Sequence, residues 1–392
     1  MTEDGAGPPE FDAAADRAHD AIALADAWLF APAVADLLAL FDEELPRAGA
    51  DAPRCADEVP LFNESLPPWA GRVLGDPRAE LAGVPQKYLD IMRRALALER
   101  IAVRRFNFRA QGGGGYVERS QAAVTAFEPA TAARIIELCE DRGLVETRPP
   151  RSARYGETLI LGGGYRRPLM RAVHARELAD EGVGLGRLSF LGSGRELIPK
   201  PAERPATEDY APGARDEFDL LIGAACTAFP VHRGPIRFLC GCESADAVCP
   251  AWRSRIGSYD GAVPAGFTHE RQTDLLDQDG VLAGSVLSAS TGRPPHRPNT
   301  ADTLDLWART AHAGGRILVV TSQYFVPFQT FDCLRLLHLP HGVDSDVIGF
   351  DDQLADGATL PGYLLMETLS AIRSARRLLV DSVGVLAGGS VG

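Results

Sequence analysis

Residues 159–172, LILGGGYRRPLMRA, decide the fold. The stretch begins with an apolar run, breaks into three consecutive glycines and continues as an arginine-rich segment with a proline near its start. This order is typical of a buried strand that passes through a tight turn into a helix, because glycine permits the turn and proline suits the first helical residue. It therefore predicts one strand–turn–helix unit of an α/β fold.

Other apolar runs continue this pattern, and helical segments separate them. The predicted strands are TLILGGG, GRLSFLGSG, PIRFLCG, RILVVTS and DSDVIGF, and the predicted helices begin near Pro168, Asp216, Thr300, Gln329 and Gly362. Strands that are apolar throughout and alternate with helices indicate a mostly parallel sheet covered on both faces. We therefore predict a doubly wound, Rossmann-like α/β domain over residues 151–392.

Residues 1–150 have a different pattern. Amphipathic stretches separated by Pro-rich and Gly-rich breaks predict a helical N-terminal domain. Within it, the four glycines at 112–115 predict a hinge or a lid. The helical stretches lie near residues 13–29, 33–44, 87–104 and 130–142.

Charge and composition exclude some classes of partner. The 392-residue chain has a formal net charge of -13, which opposes binding to nucleic acid or to an anionic membrane. Its acidic N-terminus does not look like a secretory signal, and we expect no window apolar enough to cross a bilayer. The seven cysteines are typical of reduced thiols. We expect a cytoplasmic protein with no nucleic-acid or membrane partner, and leave a homo-oligomer open.

The three glycines fall where a doubly wound sheet binds ligands, beyond the carboxyl ends of its strands. Amides at the start of the next helix would point at an anion. Arg167 occupies the position of the third glycine of a dinucleotide fingerprint, and a P-loop Gly-Lys-Ser/Thr is absent. The alternative is a turn with only a structural role and a solvated arginine face. The predicted ligand-binding residues of this turn are Gly162, Gly163, Gly164, Arg166, Arg167 and Arg171.

Two further strand ends carry polar residues and extend the predicted ligand site. The second predicted strand ends in a Gly-Ser-Gly turn that is followed by arginine, and a later strand ends in VVTSQY. Two glycine turns that are each followed by arginine favour an anion site more than one alone. From these two ends we assign Ser193, Gly194, Arg195, Glu196, Thr321, Ser322, Gln323 and Tyr324 to ligand binding.

The order of the motifs ILGGG, LGSGREL, RPNTADT and ILVVTSQYFVPFQ resembles that of the SanA/YdcF/ElyC-like family of Rossmann-like proteins. The resemblance covers roughly residues 157–385 and adds Asn299 and Thr300, at a helix start, to the implied ligand site. The family is associated with cell-envelope processes and, in one branch, with an adenosyl-methionine-type nucleotide. Phe325 and Phe328 stand where the family has a histidine and an arginine. The resemblance implies S-adenosylmethionine or another nucleotide as ligand.

Three residues are candidates for acid–base chemistry: Glu217, Asp219 and His296. The two carboxylates begin an apolar helix, ARDEFDLLIG, where they could act as a general base or accept hydrogen bonds from a ribose-like diol. The alternative is that they only complement the helix dipole. His296 lies in the Pro-rich loop before Asn299 and is either exposed or turned toward the same sheet edge.

Three cysteines lie close together in CGCESADAVC, as Cys240, Cys242 and Cys249. Three thiolates can bind zinc, but the C-x-C spacing is not that of a zinc knuckle. The nearest histidine along the chain is His232, and no fourth ligand is obvious. We therefore expect buried thiols and no metal.

Two functions remain open at this point. The first is an enzyme of specialised metabolism, a transferase or hydrolase acting on a nucleotide-like or phosphorylated small molecule, with its ligand at the carboxyl edge of the sheet. The second is a sensor without catalytic activity that binds a ligand of the same class. Loss of the family's histidine at Phe325 favours the sensor, and the retained Glu217, Asp219 and His296 favour the enzyme.

Overall fold

The chain folds into two compact units. The helical unit comprises residues 1–146, 323–342 and 353–392, and the sheet unit comprises residues 147–322 and 343–352. The computed structural model describes residues 9–47, 66–75, 79–109, 126–198, 203–257, 259–310, 315–351 and 360–388.

The sheet unit is built on one seven-stranded sheet with the order β3-β4-β5-β2-β1-β6-β7. The five strands from β5 to β7 in this order are parallel, and the β3–β4 and β4–β5 pairs are antiparallel. Because the central strands are buried on both faces, their sequences are almost continuously apolar. The strands are β1 (Glu157–Leu161), β2 (Arg187–Ser193), β3 (His232–Phe238), β4 (Arg271–Leu276), β5 (Leu282–Ala289), β6 (Ile317–Ser322) and β7 (Ser345–Phe350).

Among the described residues of the sheet unit, four segments form α-helices. Two of them, α6 (Arg167–Asp180) and α7 (Glu217–Ala228), pack against each other and on the central strands, where they share a core with Ile160 and Phe190. A short helix, α8 (Pro250–Ile256), lies between β3 and β4 in the chain. The fourth, α9 (Thr300–Thr310), packs against β2 and β5.

The helical unit packs around the long C-terminal helix α12 (Leu360–Leu386). Its neighbours include α1, α4, α5 and α10, and its own residues are buried over most of their length. Inside this unit the buried Glu99 accepts from Arg376 at 2.9 Å and from Arg373 at 3.3 Å. The other helices are α1 (Pro9–Leu29), α2 (Pro32–Ala39), α3 (Pro68–Gly75), α4 (Gln86–Phe106), α5 (Pro129–Glu140), α10 (Val326–Cys333) and α11 (Leu339–His341).

The predicted α/β fold with a mostly parallel sheet is confirmed. The sequence placed residues 151–392 in one domain, whereas the structure assigns residues 323–342 and 353–392 to the helical unit. The physical reason is that α12 is buried over most of its length, charged residues such as Glu367 and Arg376 included, so its own apolar pattern does not show which core it joins. The four glycines at 112–115 lie outside the described residues.

Two strands, β4 and β5, were not predicted. In β4 buried residues alternate with half-buried polar ones, and β5 is rich in small residues. Gly284 in β5 is required by packing, because a Cβ at this position would collide with the backbone oxygen of Leu188 in β2. Small residues that permit such close strand approach carry little hydrophobic signal in the sequence.

One stretch, Ala13–Ala39, is long and apolar enough to cross a membrane by length and composition. The expectation that no window meets this criterion is therefore wrong, because the alanine-rich and leucine-rich residues of α1 and α2 run on with few charges. Half of the 18-residue window is buried inside the protein. A buried core helix meets the same criterion as a membrane span.

Candidate functional site at the carboxyl edge of the sheet

The first glycine turn, residues 162–164, leaves the carboxyl end of β1. The Gly162 amide donates to the Leu191 carbonyl of β2 at 2.6 Å. A Cβ on Gly162 would lie 2.5 Å from Glu217 Oε1 and 2.9 Å from the Leu191 oxygen, so only glycine fits. Among the described residues, the amides of Gly163 and Gly164 have no hydrogen-bond acceptor. Both amides lie just before the 14-residue helix α6.

Arg171 holds the first glycine turn through hydrogen bonds to its backbone. Its guanidinium is buried and donates to the backbone oxygens of Leu161, at 2.8 Å, and of Gly162. It also lies 3.5 Å from the Ser322 hydroxyl at the end of β6. Arg171 therefore joins the carboxyl ends of β1 and β6, which is a structural role that the sequence did not indicate.

Arg166 and Arg167 are differently placed. Arg166 is exposed and forms a two-oxygen ion pair with Asp209 at 2.6 and 2.8 Å. Arg167 is half-buried, and its side chain lies next to Gly163. Of these two, Arg167 is the arginine beside the open amides.

The second turn, residues 193–196, follows β2 and packs closely against the loop that precedes β4. A Cβ on Gly194 would collide with the backbone oxygen of Gly266, so the two glycines allow backbone-to-backbone contact. Arg195 is buried, whereas Glu196 is exposed and forms an isolated bridge with Asp216.

Glu203 neutralises Arg195 and was not predicted from the sequence. Its buried carboxylate accepts from Arg195 Nη1 and Nη2, both at 3.0 Å, and from the amides of Tyr165 and Ile198 at 2.5 and 2.7 Å. Burial by itself raises the pKa of Glu203, but the Arg195 hydrogen bonds and charge more than offset it, and the pKa lies below its ordinary value. No sequence pattern marks this glutamate, because it lies in a Pro-rich loop with no periodicity.

Glu217 and Ser193 are brought together. The buried Glu217 Oε2 accepts from the Ser193 hydroxyl at 2.5 Å and from the Ser193 amide at 3.1 Å. The other carboxylate oxygen faces Gly162. A carboxylate therefore lies between the carboxyl ends of β1 and β2, within hydrogen-bond reach of a hydroxyl.

The neighbouring acids mainly cap α7. Asp216 is the N-cap residue and accepts from the Asp219 amide at 3.1 Å, while Asp219 accepts from the Arg215 amide at 2.9 Å. Burial raises the pKa of Asp216, and the nearby Arg271, whose Nη2 lies 2.7 Å from Asp216 Oδ2, acts in the opposite direction. Asp219 lies in the first turn of α7, as the helix-dipole alternative expects.

Asn299 caps α9 and Thr300 begins it. The Asn299 side-chain oxygen accepts from the Ala301 amide at 2.8 Å, and Asp302 accepts from the Asn299 amide at 2.8 Å, which forms a reciprocal cap. Burial raises the pKa of Asp302. His296 is exposed in the preceding loop.

The four predicted ligand residues at the end of β6 belong to two different units. Thr321 and Ser322 are buried in the sheet unit, and the Thr321 hydroxyl has no hydrogen-bond partner in the described chain. Gln323 and Tyr324 belong to the helical unit. There Gln323 donates to the Gly143 carbonyl at 2.9 Å, and Tyr324 packs edge-on against Phe325 and Tyr363.

Comparison with known proteins finds relatives, and these relatives are uncharacterized. The chain is 33% identical over 256 residues to the uncharacterized proteins Rv3785 and MT3893 of Mycobacterium tuberculosis and Mb3814 of Mycobacterium bovis. The match covers 62% of this chain, and the chain spans about 65% of the length of these relatives. No family model and no solved structure matches the chain.

Proposed function

We propose that the sheet unit is a doubly wound, Rossmann-like domain of the SanA/YdcF/ElyC type that binds a nucleotide-like or phosphorylated small molecule at the first glycine turn. In this proposal the protein is a cytoplasmic enzyme, a transferase or hydrolase. S-adenosylmethionine and other nucleotides are the candidate ligands.

The position of the turn in the sheet carries the proposal. β1 lies between β2 and β6, and the chain continues from β1 to β2 on one side and from β6 to β7 on the other. Such a reversal of strand order opens a crevice at the carboxyl ends, where open α/β sheets bind ligands. The open amides of Gly163 and Gly164 lie at this point, next to the positive end of the α6 dipole.

The charges of the side chains around the first glycine turn indicate which class of ligand would bind there. Asp209 and Glu203 already pair with Arg166 and Arg195, and the Glu217 carboxylate adds a negative charge beside Gly162. The backbone amides of Gly163 and Gly164, with the half-buried Arg167 beside them, are the favourable contacts for an anion in this proposal. This balance favours a nucleoside or a ligand with a single anionic group over a triphosphate.

Glu217 is the best candidate for a general base. It is the predicted catalytic residue that reaches the hydroxyl of another predicted site residue, at 2.5 Å. Proton transfer requires this kind of contact with the reacting group or with a water beside it. Asp219 is occupied as a helix cap, and His296 is exposed.

One observation favours the second candidate function, a ligand sensor. Phe325 and Phe328, at the positions of the family's histidine and arginine, pack edge-on against each other in the helical unit, with ring centroids 5.6 Å apart. Neither ring can donate or accept a proton. A pocket without these two polar groups would still bind a ligand.

Thermal unfolding in the presence of nucleotides, S-adenosylmethionine and sugar phosphates tests the proposal. A ligand at a hundred times its dissociation constant stabilises by about 2.7 kcal/mol. Gly163→Ala places a methyl group in the turn, 3.3 Å from Arg167 Cβ and 3.5 Å from Arg171 Nη1, and should weaken binding about tenfold. Gly234→Ala on β3 is the control, because its Cβ meets only ordinary contacts.

Turnover of the stabilising ligand then separates enzyme from sensor. Products in the presence of wild-type protein, and none with heat-denatured protein, support the enzyme. Stabilisation without turnover supports the sensor. If no member of the panel raises the melting temperature, or if Gly163→Ala and Gly234→Ala bind equally well, the proposed ligand site is wrong.

A further inference from the structure

Four potential metal ligands converge at the edge of the sheet unit where β3 ends and β4 begins. They are the three thiols Cys240, Cys242 and Cys249 and the imidazole of His269. One ligand atom from each lies within 4.8 Å of all the others. The sequence around the cysteines lacks a fourth donor. His269 supplies it, because the antiparallel β3–β4 pairing sets Phe238 opposite Arg271 and so brings the start of β4 to the end of β3.

The distances fit the edges of a tetrahedron. Zinc binds sulfur at about 2.3 Å and nitrogen at about 2.0–2.1 Å, so tetrahedral edges are about 3.8 Å between two sulfurs and about 3.5 Å between sulfur and nitrogen. Cys242 Sγ and Cys249 Sγ lie 3.7 Å apart. Cys240 Sγ and His269 Nδ1 lie 3.5 Å apart. Both measured edges therefore agree with one central ion.

Hydrogen bonds to neighbouring groups orient two of the four donors, His269 and Cys249. His269 is buried, and its Nε2 lies 2.6 Å from the Ala247 carbonyl, which fixes the proton on Nε2 and leaves the Nδ1 lone pair facing the thiols. Metal-binding histidines almost always make this outer hydrogen bond. The Cys249 sulfur also accepts from the Trp252 amide at 3.4 Å, as a thiolate at a helix start would.

The segment around these residues has little apolar core of its own. β3 is mostly exposed, and Trp252 is the buried residue of α8. The segment nevertheless holds defined contacts, because the Trp252 indole donates to the Thr291 carbonyl at 2.7 Å and Arg255 lies 2.6 Å from the Ser290 hydroxyl. A metal ion would supply the stabilisation that such a small core cannot.

We propose that Cys240, Cys242, Cys249 and His269 bind one zinc ion in a closed, structural Cys₃His site. Four protein ligands leave no open position for a substrate, so the ion stabilises the fold rather than activating water. The soft sulfur donors favour zinc over magnesium, calcium or manganese. The site stands independently of the proposed ligand pocket.

The metal content of the full chain tests this proposal. Protein expressed with added zinc and purified without chelator should contain about one zinc per chain by elemental analysis. Cobalt-loaded protein should show the intense visible bands of tetrahedral Co²⁺ together with thiolate-to-metal charge transfer. Removing the ion with a chelator should lower the melting temperature, and adding zinc back should restore it.

Matched variants locate the site. Cys240→Ser and His269→Ala should reduce the zinc content to below about one tenth of an equivalent. Cys226→Ser and His232→Ala should retain it, because both residues are exposed elsewhere in the same unit. Even if His269→Ala unfolds, the cobalt spectrum of the wild-type chain remains decisive. Wild-type protein without bound metal or cobalt bands, or with a Cys242–Cys249 disulfide in its place, would overturn the proposal.

Discussion

Glu203 binds the guanidinium of Arg195 through two parallel hydrogen bonds of 3.0 Å, and both side chains are almost fully buried. The same carboxylate also accepts the Tyr165 amide at the end of the first glycine turn. A positive charge that the sequence assigns to the ligand is therefore used inside the protein to join the two turns.

We expect Arg195→Ala to destabilise the sheet unit by about 3–5 kcal/mol, because it leaves the Glu203 carboxylate buried without its cation. Urea unfolding followed by circular dichroism measures the change. Arg166→Ala is the control, since Arg166 and Asp209 form an exposed pair that solvent screens. Equal effects of the two substitutions would show that burial of the Arg195–Glu203 pair has no energetic importance.

The lowered pKa of Glu203 predicts a pH dependence of stability. Because its folded pKa lies below the unfolded value of about 4.3, its contribution is present above that pH and is lost as the pH falls through the folded pKa. Glu203→Gln should therefore flatten the acid side of the stability curve, measured by urea unfolding from neutral pH downward. Glu208→Gln, at an exposed position, should leave the slope as in wild type.

The sequence predicts the parts of the fold whose signal is local. The apolar runs at β1, β2 and β6 and the acidic start of the helix near Asp216 each depend on neighbours in the chain, and each is present. Contacts made between distant residues were missed. Glu203 meets Arg195 through a loop without periodicity, and His269 meets Cys240 only after an antiparallel strand pair forms.

Asp346 is a second buried carboxylate, at the start of β7, and Tyr155 donates to it at 2.5 Å. Burial raises the pKa of Tyr155 to about 12, and the hydrogen bond to Asp346 acts in the same direction. Tyr155→Phe should cost about 1–2 kcal/mol of the free energy of unfolding, because Asp346 loses a donor in a buried position. Tyr259→Phe, at a half-buried tyrosine of the same unit, is the control, and a cost as small as in that control would contradict the prediction.

Arg171 and Arg167 should separate stability from ligand binding. Arg171 donates to the backbone oxygens at the end of β1, so Arg171→Ala should lower the melting temperature. Arg167 is half-buried and lies beside the open amides, so Arg167→Ala should lower the melting temperature of the free protein less than Arg171→Ala does and weaken a stabilising anionic ligand by about tenfold. Calorimetric titration measures the affinity. Unchanged affinity in Arg167→Ala would remove this residue from the ligand site.

Glu217 connects the two glycine turns, since one carboxylate oxygen accepts from Ser193 and the other faces Gly162. A general base must ionise, and glutamine at this position keeps an oxygen acceptor but cannot take a proton. Glu217→Gln should therefore lower turnover of the identified ligand by about 10²–10⁴-fold while its affinity changes little. Asp219→Asn is the control, because Asp219 accepts the Arg215 amide at the start of α7 and its amide oxygen can still do so. Full turnover in Glu217→Gln, with the same pH profile as wild type, would show that the proton is accepted elsewhere.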